Sequence, residues 1–166
     1  MHSNDVSPWV VRGLYLFAIV LVLSPIMDLT STVWPMRPTE LTWRYGFLGL
    51  TAGYLHTPLL GACLALGLAW WTERDGVLRF VGIAMLASVL PLLLAMGMFM
   101  LDVLQMRGLR EADVQQAVLV GGILQEVKYG SALLVLLALG FGAVRTAGSR
   151  RRNPGGRRAS PGIVAR

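Results

Sequence analysis

Five ionisable side chains lie within or at the edge of the long apolar stretches of this chain: Asp28, His56, Asp102, Glu126 and Lys128. Each can take up or give up a proton, and a charge at the centre of a lipid layer costs roughly 2.5–3.5 kcal/mol. At about 1.5 Å per helical residue, Asp28 lies about 24 Å from Arg12 and His56 about 22 Å from Trp71. On the same rise, Lys128 and Glu126 lie about 26 and 28 Å from Arg145, and Asp102 about 35 Å from Arg79. All four stretches therefore carry a titratable group in the outer third of a membrane or at its outer edge. The first chemistry this permits is a structural ion pair, with Lys128 meeting Asp28 or Asp102 on a neighbouring helix. Glu126 is two residues from Lys128 and points elsewhere. The second is a proton or ligand site open to the outer face. The third is contact with a partner protein. The ion pair is the expected use.

Other chemistries find little support. His56 is the only histidine inside a stretch, and a bis-histidine haem needs two. Met96, Met98 and Met100 fall on different helix faces, as packing residues do, rather than on one face as metal ligands would. Cys63 is the sole cysteine, which excludes an intrachain disulfide and reads as a small apolar residue. No serine, histidine and acid pattern suggests a hydrolase. Asp28 and Asp102 could form an acid/base pair, but no substrate-binding pattern accompanies them. The expectation is no catalytic residue, no metal and no cofactor.

The elements that hold these groups follow from the distribution of charge. No charged residue occurs between Arg44 and Glu73, a window of 28 residues. That is enough to cross a hydrocarbon core about 30 Å thick as a helix. Three other segments read alike, giving spans at about 10–30, 49–71, 80–101 and 118–144. Charged residues make up 14% of the chain and hydrophobic ones 55%, against about 25% charged in soluble domains. Leu, Ala, Val, Gly and Met dominate without two-residue alternation, which favours helices over membrane strands. The fold class expected is all-α, an integral membrane four-helix bundle over 1–146 with a short disordered basic tail over 147–166. The first apolar run lacks a cleavage pattern and reads as a retained span.

Basic residues set the expected orientation. Ten of the 15 fall on the side of the N-terminus, the 72–79 loop and the tail, which places both termini in the cytoplasm. Trp9, Trp70 and Trp71 would mark the inner boundary, and Trp34, Trp43 and Tyr45 the outer one. In the tail, Arg150, Arg151 and Arg152 serve as a topology anchor or bind anionic headgroups. Nucleic acid is not an expected partner, since no folded reader accompanies these arginines.

Packing should centre on the second span. Gly49, Gly53, Thr57, Gly61, Ala65 and Ala69 recur every four residues and form one ridge of small side chains on a helix. Pro25, Pro58 and Pro91 each interrupt a different span and kink it. In the loop from Ser31 to Phe47, Thr39 could cap a short helix. Trp34, Trp43, Arg44 and Tyr45 there suggest an interfacial anchor or a protein contact surface. The segment from Gln105 to Gln116 should extend helices beyond the lipid.

The runs Trp34-Pro35, Trp43-Arg44-Tyr45-Gly46 and Thr57-Pro58-Leu59-Leu60-Gly61 resemble small four-span bacterial membrane proteins of no assigned activity. The resemblance covers most of the chain before the tail and implies a four-helix inner-membrane protein. It carries no substrate, cofactor or functional residue. The function expected is a non-enzymatic accessory or assembly subunit of a larger membrane complex. The alternatives are a small proton-linked carrier or channel, and a haem- or quinone-binding redox subunit.

Overall fold

Pro8 opens the first helix, where its fixed φ and missing N–H cost nothing. A computed structural model describes residues 7–109 and 112–152. Helix α1 (Pro8–Thr32) runs unbroken through the buried Pro25. At its end the hydroxyls of Thr30, Ser31 and Thr32 bond back to the carbonyls of Ile26 and Asp28. They thus meet their own hydrogen-bonding needs locally.

Helix α2 (Leu41–Tyr54) starts well before the expected span at 49. Its N-cap is Glu40, without a side-chain cap bond, so Thr39 does not cap a separate short helix. A single break at Leu55 separates α2 from α3 (His56–Trp71). Pro58 accounts for it: the ring cannot donate to Tyr54 and crowds that carbonyl. Leu55 keeps helical angles, so the two pieces form one bent span. Glu73 takes a positive φ of 52° in the turn that follows. Helix α4 (Asp75–Leu109) passes through Pro91 without ending, and α5 (Ala112–Arg152) completes the bundle. Helix α5 continues past 146, so residues 147–152 are helical rather than tail. The remainder, 153–166, lies outside the described residues.

Four helical stretches are long and apolar enough to cross a membrane: Pro8–Thr32, Leu41–Trp71, Asp75–Gln105 and Val118–Arg150. They pack together as an all-α bundle, with no strand among the described residues. The broadest contact is α4 on α5. Buried Leu78, Met85, Leu92 and Phe99 recur every seven residues on α4, the spacing of a left-handed helix pair. They meet Tyr129, Leu133, Leu136, Ala143 and Ala147 of α5 in one core, to which Leu48 and Ala52 of α2 belong. Helix α1 is peripheral: it packs on α3 and less extensively on α2.

Glycines mark the closest crossings. A Cβ on Gly82 would lie 2.9 Å from Ala143 Cβ and 3.1 Å from the Gly140 carbonyl. One on Gly140 would lie 3.1 Å from the Gly82 carbonyl, so the two glycines face each other where α4 crosses α5. One on Gly61 would come within 2.7 Å of the Ala18 carbonyl on α1. The six-residue ridge does not act as one surface. Gly61 serves α1, Gly49 looks toward Phe99 of α4, Ala69 is buried, and Gly53 faces open space. Thr57 and Ala65 are half-buried. The stripe is shared among different neighbours on either side of the bend.

Candidate functional site

One pair of charged side chains, Arg44 and Asp102, meets where α2 packs on α4. Starting the helix at Leu41 turns Arg44, Tyr45, Leu48 and Ala52 toward the bundle, at the i, i+1, i+4 and i+8 spacing of one helix face. Arg44 Nε donates to both Asp102 oxygens of α4, at 3.1 and 2.8 Å, and Nη2 donates again to Oδ1. This fork is the strong geometry for a guanidinium and a carboxylate. Asp102 is 1% exposed, so its charge is sustained by that partner and not by water. Tyr45, the next residue of α2, stacks on Phe99, one turn before Asp102 on α4, with ring centres 5.3 Å apart. Phe99 in turn meets Tyr129 of α5 at 6.1 Å. The Tyr129 hydroxyl closes the circuit by donating to the Leu48 carbonyl of α2 at 2.6 Å. Three helices are thereby tied in a ring by one ion pair, two aromatic contacts and one hydrogen bond.

Asp102 therefore pairs with Arg44, not with Lys128. The physical reason is level: Arg44 is the last basic residue before the uncharged window, and α2 carries it to the height of Asp102. Counting back from Trp71 puts Arg44 about 40 Å along its span, near the 35 Å or so of Asp102 from Arg79. The sequence carries that count, but the tryptophans and prolines before Arg44 have the composition of a loop. Tyr129 was also missed, because an isolated tyrosine in an apolar span carries no distinguishing pattern.

The remaining groups of the expected layer do not converge. Asp28 is exposed near the end of α1 and makes no ion pair among the described residues. His56 is exposed beside the break at Leu55. Lys128 is half-buried and has no ion pair among the described residues. Glu126 is different again: both carboxyl oxygens are buried and lack a hydrogen-bond partner among the described residues, as does Gln125 Oε1. Glu126 lies one turn from Tyr129 on the same helix.

The contact surface expected from Trp34, Trp43, Arg44 and Tyr45 is also revised. The Trp43 indole donates to the Val33 carbonyl at 3.1 Å and stacks on Phe47. Arg44 and Tyr45 face the bundle as described. Trp34 alone of the four stays open, at 72% exposed.

At the opposite end, Arg150 of α5 reaches Asp75 of α4 at 3.3 Å and lies 4.8 Å over the Trp70 ring of α3. The Tyr15 hydroxyl is 3.3 Å from Thr72 Oγ1 and joins α1 to the same end. The side chains of Arg151 and Arg152 lie outside the described residues. No group of three His, Cys, Asp or Glu able to hold a metal ion occurs among the described residues. No protein-family model, curated protein or solved structure matches this chain.

Proposed function

We propose that this chain is a non-enzymatic multi-pass protein of a bacterial inner membrane, with both termini cytoplasmic, that serves as an accessory or assembly subunit of a larger membrane complex. The observation that carries this reading is His56. It is exposed midway along the second span, about 22 Å from either end. A polar side chain at that depth gains from a hydrogen-bond partner, and in a lipid-facing position another chain can supply it. The surface around it is smooth. Gly46 and Gly53 have nothing within 4 Å of where a Cβ would be, and Leu50 and Leu60 beside them are exposed. Small residues with one polar group suit close approach of a second helix that offers an acceptor or a carboxyl group. Extraction in a mild detergent followed by native sizing tests the proposal. The chain should travel with other proteins, and His56→Leu should loosen that association. A strictly monomeric particle in several detergents overturns it.

A second reading, a proton-linked carrier, rests on Glu126, whose buried carboxyl has no hydrogen-bond partner among the described residues. Ionisable groups inside spans commonly line proton or ion paths. Flux measured in proteoliposomes should then vanish in Glu126→Gln, while Asp28→Asn, on the exposed face of α1, leaves it intact. Equal flux in wild type and Glu126→Gln removes this reading.

A further inference from the structure

A groove of about 440 Å³ runs between α3 and α5, floored by Leu78 of α4. Its α5 wall is Ala138, Gly142 and Thr146, spaced every four residues, and the next position in that row is Arg150. Its α3 wall is Cys63, Gly67 and Trp70. Gly67 and Gly142 have nothing within 4 Å of a built Cβ, so the groove is left open by missing side chains. The Arg150 guanidinium stands over the Trp70 ring at the groove's end. Its one described hydrogen bond, to Asp75, uses one of five N–H donors.

We propose that this groove holds an acyl chain of an anionic phospholipid whose phosphate is bound by Arg150. The apolar trough matches a hydrocarbon chain. The cation at its end matches a phosphate, which guanidinium donors bind in fork geometry. Trp70 is the kind of side chain that settles at the level where chain and headgroup meet. The inference rests on the membrane-spanning reading but not on the accessory-subunit one. The site differs from general attraction of the tail to a charged surface, because it is specific to one row of α5.

Cys63 supplies the reporter, since it lines the groove and is the only cysteine. The full chain is placed in nanodiscs of phosphatidylcholine alone or with one third phosphatidylglycerol. Alkylation of Cys63 by N-ethylmaleimide is timed, and native mass spectrometry counts the lipids retained. Phosphatidylglycerol should slow alkylation about fivefold, the effect of one basic residue at a lipid surface, and wild type should retain it over phosphatidylcholine. Arg150→Gln should abolish both effects. Gly142→Leu, whose Cβ has open space and whose side chain would occupy the trough, should end retention. Arg145→Gln removes an equal charge about one and a half turns away and off the row, and should leave both effects in place. Equal alkylation in the two lipids with no preferential retention overturns the proposal. So does an Arg145→Gln variant that behaves like Arg150→Gln. Cys63-to-Cys63 crosslinking between copies, insensitive to lipid, overturns it in favour of a second copy in the groove.

Discussion

Arg44 and Asp102 each stand where the other is needed. Removing Arg44 strands the buried Asp102 carboxylate away from bulk water, and removing Asp102 costs the part-exposed Arg44 its forked partner, whereas replacing both with apolar residues removes the debt altogether. Arg44→Met and Asp102→Leu should each lower the melting temperature in detergent by several degrees. The double variant should recover most of the loss. Additive losses would show that the two groups are not coupled. Tyr129→Phe keeps the ring on Phe99 but deletes the bond to Leu48, and should cost about 1 kcal/mol. Denaturation by a graded detergent series reads that difference. Glu126 should respond in the opposite sense. Its carboxyl oxygens are buried without partners among the described residues, so Glu126→Leu should hold or raise the melting temperature. A collapse of the fold in that variant would reveal a structural partner for the carboxyl.

At the scale of helices, the facing Gly82 and Gly140 predict that Gly140→Ala destabilises the α4–α5 pair by about 1–3 kcal/mol, as overpacking generally does. Gly61→Leu should act locally, pushing α1 away while α4 and α5 stay paired. Crosslinks between α1 and α3 would be lost in that variant and those between α4 and α5 kept. The number and rough placement of the spans were legible in the sequence, because lipid demands long uncharged helices. The start of α2 at Leu41 was not. Trp, Arg and Pro near Leu41 have the composition of a loop, yet the helix runs beyond the hydrocarbon edge. The glycine contacts were legible only in kind: spacing marks which face of a helix is small, not which neighbour fills it. Gly82 and Gly140 belong to no stripe like that on the second span, so spacing does not single them out. The bend at Pro58 then divided that stripe between α1 and α4. Of the polar layer, the depth of Asp102 was readable and its partner was not, since pairing depends on which helix lies alongside.

For the whole molecule, four crossings return the chain to the side on which it began. With ten basic residues on the side of the termini and five on the other, both ends should face the cytoplasm. Protease sites introduced at either end should be cut in inverted vesicles and protected in intact spheroplasts. Cleavage at only one end would break the bundle as described. Of the four spans α1 is the least buried: Leu16, Phe17, Ile19, Val20, Leu23 and Met27 are all exposed.

The ring around Arg44 joins residues that leave the ribosome at well-separated times. Arg44 emerges 58 positions ahead of Asp102, and the Leu48 carbonyl 81 positions ahead of Tyr129. The second span must therefore enter the bilayer while its guanidinium has no counter-ion and its inner face no cover. Arg44 can wait at the headgroups, where a long side chain keeps its charge in water. Closure of the bundle then awaits the last span to be synthesised, and until that moment the half-made protein is most open to interception by whatever assists its insertion.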